Sequence, residues 1–518
     1  MSQTGFRLSA FSGNTLNRTH EVSNVRVLLV TGKLAERAVR EAASRVRGAE
    51  VEVKVLDYPV AALMTAKYVA EKLKGVDGNF DYIVVPGLVF GDVSVVERST
   101  GVRTVKGSQD AYDIPVVIEA LKRGLPLSSL EPADAVIARI RLSDLRKEIA
   151  EMENSAEYAF EQDGLKIPIS PPPFRIFLEL DVKWDEERVK REALRVRDYV
   201  DVVVVGTPAG SDDPDSLSRK VKTLVDLGFR VGVDSASPNE LKAGVRAGAG
   251  FVFNLNETNL DLLEEAKDAT FIVAPTYPEE RAKRCLSIFR DAQRRGYRKL
   301  ILDPVLSPPV LGTFQSLTEY AQVRKELPNV PTLMGVLNVT ELIDADSHGV
   351  NALMATLAQE LGVGNLLTMD KGRTRWSAWE LRTATSMVSL AHVRRKPPKD
   401  IGVDLLILKD REREDREFLH ADQVIEVSEI EPKMDRGFVR IGLEDDKLAL
   451  VFNDGNHRRK VKLMSENALS LGRALVRSVS MDPEHALYVG YELAKAEMAL
   501  QLGKRYAQDS PLFRVRMK

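Results

Sequence analysis

At 518 residues the chain exceeds what one core can organise and calls for about two to four domains, with an apolar fraction of 44% that is ample for them. Its 74 Lys and Arg against 76 Asp and Glu leave a formal charge of −2, so there is no electrostatic footprint for nucleic acid or an acidic membrane surface. A single cysteine, Cys285, excludes an internal disulfide framework and a cysteine-ligated metal cluster, and no apolar run approaches the roughly 20 residues of a membrane span. The cytosol is the expected compartment.

Residues 1–24 are polar, lack the apolar stretch of a secretory signal, and read as a disordered leader. Val25–Thr31, Val51–Leu56 and Tyr82–Val85 read as strands, with helices at Leu34–Val46 and about Ala61–Lys74 between them. This alternation predicts a small Rossmann-like α/β domain over residues 25–145. Thr31-Gly32-Lys33 lacks the glycine spacing and the Ser or Thr of a phosphate loop, and reads as a tight turn. Pro86–Asp92 and Lys106–Pro115 read as loops at strand ends.

A connector over residues 146–173, helical around Leu142–Phe160, ends in the cluster Pro171-Pro172-Pro173, which can neither continue a helix nor enter a sheet interior. Strand-like runs then begin near Phe174, Asp201, Phe229, Gly250, Thr270, Lys299, Pro331 and Asn365, each followed by helical periodicity. Eight βα units over residues 174–396 predict a (β/α)8 TIM barrel. Arg394–Lys399 reads as a solvated basic linker. Beyond it, residues 401–518 read as an α+β domain, with strands at Val403–Leu408, Gln423–Val427, Phe438–Ile441 and Lys447–Phe452 and helices at about Asn467–Ser478 and His485–Leu502.

In a parallel barrel, ligands gather at the carboxyl ends of the strands. Asp234, Asn254, Asp303 and Asn338 stand there, among other strand-end residues that include Glu179, Asp181, Thr207, Asn256, Thr276, Thr340 and Asp370. Any one of them is explained as a helix cap or turn residue. Jointly, the first four make a candidate site. A carboxylate in such a mouth needs donors, and a flat heterocycle with a guanidine-like edge supplies them in pairs, while asparagine amides read ring carbonyls and nitrogens.

The sequences VDS (233–235), FNLN (253–256), LDP (302–304) and MGVLNVT (334–340), in that order, resemble the pterin-binding barrel of dihydropteroate synthases and their methyltransferase relatives. The similarity is greatest to the archaeal dihydropteroate synthase-like group, in which the barrel lies between two further domains. The stretches LLTMDKGRTRWSAWELRTATSM (366–387) and YELAKAEMALQLGKRYAQDSPLF (491–513) resemble that group too. The resemblance implies that Asp234, Asn254 and Asp303 grip a pterin, with Asp303 on its aminopyrimidine edge, and that the substrates are a pterin and an arylamine. It also implies a homodimer.

Three departures accompany it. Asn338 matches the methyltransferase branch rather than the Ser-Arg-Lys motif of true synthases. The first strand reads FLELDVKWD, without the Asn-containing loop that would bind magnesium and diphosphate, so magnesium is unsupported. In place of an Arg-x-His anion site stand Lys371 and Arg373, which serve either as anion ligands or as a solvated loop. No catalytic residue is assigned, and the only histidine near the mouth is His348. The expected functions are condensation of a (hydroxymethyl)dihydropterin diphosphate with an arylamine in folate or methanopterin synthesis, reduced-pterin methyl transfer, or non-catalytic pterin binding.

Overall fold

Aliphatic runs that stop at Gly, Pro, Asp or Asn form most of the strands, and Thr65, Asp185, Asp213 and Ser237 cap the helices that follow several of them. The computed structural model describes residues 25–76, 79–261, 263, 266–399, 401–408, 423, 425, 427, 430, 437–454 and 460–513. The predicted leader lies outside them.

Four parallel strands, β1 (Val25–Thr31), β2 (Ala49–Val55), β3 (Tyr82–Val85) and β4 (Arg103–Lys106), form a sheet in the order β2-β1-β3-β4. Helices α1 (Glu36–Ser44), α2 (Ala66–Lys72), α3 (Ser94–Thr100) and α4 (Ile114–Lys122) cover both faces. Along β1, Val27 and Leu29 join one core and Leu28 and Val30 another, which is why the run is apolar throughout. β4 and α3 escape the sequence reading because Arg103-Thr104-Val105-Lys106 is a short polar edge strand. The helix expected over 61–74 is broken by a 3-10 turn, Ala61–Leu63, after which Thr65 caps α2. At Thr31-Gly32-Lys33 the chain makes a turn in which Lys33 pairs with Asp57 at 2.5 Å.

The expected connector takes a different form. Helix α5 (Ala133–Ser155) begins before residue 146, and it is followed by an antiparallel hairpin, β5 (Tyr158–Gln162) and β6 (Leu165–Pro168). Leu145 and Met152 of α5 pack with Met387, Leu390, Ala391 and Ile401.

The eight predicted barrel runs become β7 (Arg175–Leu180), β8 (Val202–Gly206), β9 (Val231–Asp234), β10 (Phe251–Leu255), β11 (Thr270–Val273), β12 (Leu300–Leu302), β13 (Leu333–Gly335) and β14 (Asn365–Met369). They form one parallel sheet whose two ends meet at the bridge Leu302↔Thr332, closing a TIM barrel. Around it run α6 (Glu186–Val196), α7 (Pro214–Asp226), α8 (Pro238–Arg246), α9 (Arg281–Arg294), α10 (Thr313–Glu326), the single turn α11 (Leu337–Thr340), α12 (Ser347–Leu361) and α13 (Ser377–Val393). Between β10 and β11 the described residues form turns rather than the expected α-helix.

Phe177, Phe251, Phe253, Ile272 and Ile301 fill the cylinder, and Leu165 and Ile167 of the hairpin complete that core from the amino ends of the strands. Gln162 there accepts from Lys299 at 3.0 Å, and the Asp163 carboxylate occupies the space that a Cβ on Gly250 would take. Residues 395–399 are exposed, as a solvated linker would be, and only Arg394 departs from that reading. Its guanidinium makes two hydrogen bonds to Glu148 of α5, at 3.0 and 2.6 Å, and one to the Ile401 carbonyl.

Val403–Leu408 is not a strand; Val403 and Leu405 are anchored singly, in the cores beside α5 and α12. Gln423–Val427 falls on a stretch largely outside the described residues. A separate compact unit contains residues 370–377 and 406–518. In it β15 (Phe438–Glu444), β16 (Lys447–Asn453) and β17 (Lys460–Ser465) form an antiparallel sheet, with α14 (Ala468–Ser478) and α15 (Pro483–Gln501) sharing its core. Asp445 and Asp446 take φ of 49° and 57°, the left-handed pair that a two-residue hairpin demands.

Candidate functional site

Polar side chains at the carboxyl rim of the barrel divide into two sets. One set orders local turns. Asp181 accepts from Lys183 N at 3.0 Å, Asn256 accepts from the amide and hydroxyl of Thr258, and Thr207 donates to Glu240 at 2.8 Å. Thr340 donates to the Val336 carbonyl within its own helical turn.

The second set holds the predicted site residues, beginning with Asp234 and Asn254. Asp234 ends β9, and the Asn254 amide donates to its Oδ1 at 2.5 Å. Asn254 has φ 66°, a conformation that asparagine tolerates better than most residues, and the register of β10 shifts there. The side-chain amides of Asn256 and Asn259 each donate to the Asn254 carbonyl at 2.9 Å, which fixes the bend. Beneath this pair the buried Glu240 carboxylate accepts from Thr207, Ser211, Ser235 and the Asp213 amide, anchoring the loop that follows Asp234.

Asp303 follows β12. Its Oδ1 accepts from the Val305 amide at 2.7 Å and from the hydroxyl of the fully buried Tyr320 at 2.5 Å. Val305 has φ 67°, a strained backbone for a β-branched residue, and Arg281 holds it by donating to its carbonyl at 2.8 Å and to Ser307 Oγ at 2.6 Å. Asn338 lies in α11, three residues after β13 ends at Gly335. It donates to the Leu306 carbonyl at 2.9 Å and so ties the seventh strand's loop to the sixth.

Burial pushes the Asp234 carboxyl up to about 6, against the opposing hydrogen bond from Asn254. Burial likewise raises Asp303 to about 6, with Tyr320, the Val305 amide and the Arg281 charge each pulling it back. Each carboxylate makes its side-chain bonds through Oδ1; among the described residues Oδ2 of both has no donor. Each carboxylate therefore retains an oxygen able to accept a bond, where desolvation strengthens whatever bond it makes.

The structure thus joins Asp234 with Asn254, and Asp303 with Asn338 through the Val305–Ser307 loop, at one end of one cylinder. Lys371 and Arg373 fall in the compact unit of residues 370–377 and 406–518, where Arg375 pairs with Asp446 at 3.8 Å. His348 is in the first turn of α12. Tyr320, Glu240 and Arg281 were not legible in the sequence as site residues. Only Glu240 left a signal, three residues after Ser237, and that pattern reads as a capping box. Among the described residues no cluster of three His, Cys, Asp or Glu side chains fits a metal ion, so no step is derived through magnesium.

Fold and rim together define a parallel eight-stranded barrel protein with acidic and amide groups at the carboxyl ends of its strands, whose chain also holds an α/β and an α+β region. Residues 434–509 match the family model described as PterinBD-DUF4346, and residues 25–109 match a family of unknown function, DUF6513. The chain is 29% identical over 530 residues to the protein MJ0107 of Methanocaldococcus jannaschii, covering 94% of this chain and 99% of the relative. Among solved structures it is similar to dihydropteroate synthase of Xanthomonas albilineans in complex with indole-2-carboxylic acid and 6-chloroguanine, at 18% identity and a TM-score of 0.36, covering 45% of this chain and 96% of that one. It is also similar to 7,8-dihydropteroate synthase of Vibrio fischeri, at 16% identity and a TM-score of 0.37, covering 47% and 100%. The resemblance to the dihydropteroate synthase-like group is borne out by the family model at residues 434–509, which lies outside the barrel strand-end motifs. Among the described residues no helix is long and apolar enough to cross a membrane.

Proposed function

We propose that the barrel rim binds a pterin and that the protein is a dihydropteroate synthase-like transferase, joining a (hydroxymethyl)dihydropterin diphosphate to an arylamine. The observation that carries this reading is the pair of deep carboxylates, Asp234 and Asp303, each with one oxygen lacking a donor. A pterin offers the complementary edge: an exocyclic amine beside a ring N–H, which fit the two bonds that ionised Asp303 can accept. Asp234, oriented by Asn254, takes the second ring N–H, and the Asn338 amide oxygen accepts the remaining N–H of the exocyclic amine. The arylamine lone pair then attacks the exocyclic methylene carbon, the C–N bond forms, the C–O bond breaks with its electrons leaving on diphosphate, and the proton shed by the nitrogen passes to that diphosphate or to water. Holding the ring fixes the approach of a weak nucleophile, which is where such a site gains rate. Arg281 is the cation built into this rim.

Asn338 favours a second reading, methyl transfer from a reduced pterin, because its amide is fixed over the sixth-strand loop where synthases carry a lysine-bearing motif. Incubation of the full-length protein with the pterin diphosphate and 4-aminobenzoate separates the two. A coupled product with release of diphosphate is expected. Tight tetrahydropterin binding with no coupled product would transfer the assignment to the second reading, and absence of any pterin binding would overturn both.

A further inference from the structure

The carboxyl end of the first sheet carries features that the barrel reading does not use. Pro86–Asp92 leaves β3 beside Lys106-Gly107-Ser108 at the end of β4, so two loops emerge from neighbouring strands. They meet backbone to backbone: Gly87 N donates to Ser108 O at 3.1 Å, and a Cβ on Gly87 would sit 2.6 Å from Gly107 O. Beside them lies a cavity of about 410 Å³ whose lining includes Leu88, Val89, Phe90, Lys106, Leu130 and Pro132. The depression is open and mainly apolar, and it lies at the carboxyl ends of parallel strands, one strand away from the β1/β3 reversal of strand order.

Lys106 is the one cation in the lining and is only 6% exposed. Among the described residues its ammonium has no hydrogen-bond or ion-pair partner. Asp92, also in the lining, acts on it only as a neighbouring charge, because both Asp92 oxygens are engaged by Ser94, at 2.9 Å from the amide and 2.8 Å from the hydroxyl. The stem of Lys106 is covered while its ammonium stays open to water at the mouth, a cation free to donate to an incoming acceptor. At the rim, Phe90 and Leu130 are 79% and 62% exposed, so apolar surface faces solvent next to that charge.

We infer that this cavity binds a small organic anion, a carboxylate or phosphate monoester on an apolar or aromatic body. The anionic head accepts from Lys106, and the body lies against Phe90, Leu88 and Leu130. The site is independent of the barrel and does not rest on pterin binding.

Saturation-transfer NMR and titration on the full-length protein test it, with benzoate and phenyl phosphate as probes and benzamide and benzylamine as uncharged and cationic analogues. The two anions bind and the analogues do not; a preference between the anions tells carboxylate from phosphate. Lys106→Met weakens the anions by about tenfold or more, the scale of one charge-assisted bond, without lowering the melting temperature. Phe90→Glu, at an exposed position on which folding does not depend, weakens them by a similar factor. Asp303→Asn leaves the signal unchanged. Equal binding of benzamide, binding that survives Lys106→Met and Phe90→Glu, or loss of the signal in Asp303→Asn would each overturn the site.

Discussion

The two ends of the barrel handle partly buried carboxylates in opposite ways. At the amino end Glu153 accepts two bonds from the buried Arg175 guanidinium, at 2.6 and 2.8 Å, and one from Tyr158. Burial alone would raise its carboxyl, but those bonds and the Arg175 charge outweigh burial and hold it below the usual range. At the carboxyl end Asp234 and Asp303 meet only an amide, a hydroxyl, a backbone N–H and the charge of Arg281, and burial wins. A charge completed within the protein serves stability, whereas one left open awaits a donor from outside.

The contrast can be broken most severely at the amino end. Glu153→Ala leaves Arg175, which is 5% exposed, with only the Lys166 and Phe174 carbonyls as hydrogen-bond acceptors among the described residues, and, since the Glu153 side chain is 37% exposed, should cost about 2–3 kcal/mol of unfolding free energy, read from the urea midpoint. The carboxyl end should instead show a pH signature. Both aspartates titrate near 6 in the folded barrel against an ordinary 3.8, so the stability they contribute is complete below 3.8 and is lost as pH rises through 6. Each shift corresponds to at most about 3 kcal/mol. Replacing both by asparagine should flatten the dependence of melting temperature on pH between 4 and 7; an unchanged slope would contradict the raised values.

A smaller effect sharpens the same comparison. Tyr320→Phe removes one of the two bonds on Asp303 Oδ1 and should cost about 1 kcal/mol. It should also move the Asp303 titration further above 6, as followed by carboxyl carbon NMR. No movement would mean that the hydroxyl does not support the ionised form.

How far the sequence discloses this arrangement depends on whether the cause is local. The barrel strands were legible because apolar runs such as Val202–Val205 stop at polar or glycine positions, and Asp234, Asn254 and Asp303 were legible because they are those stops. The hairpin β5–β6 was not, since Tyr-Ala-Phe-Glu-Gln alternates weakly and gains its strand only by sealing the barrel core. The contacts of Tyr320 and Arg281 with the Asp303 loop join residues 17 or more positions apart and exist only once α9 and α10 have packed. Arg394 misled because a basic, proline-flanked run usually faces solvent, whereas here Glu148, 246 positions away, claims it.

The account turns on Asp303 as the acceptor for the pterin's aminopyrimidine edge. Calorimetric titration of a dihydropterin into the wild-type protein and into Asp303→Asn, at pH 7 and at matched melting temperature, tests this most directly. An asparagine keeps an oxygen for Val305 and Tyr320 but presents an N–H where the ring needs an acceptor, so the fold should persist and affinity should fall by about a hundredfold. Undiminished affinity in a folded Asp303→Asn protein would contradict it.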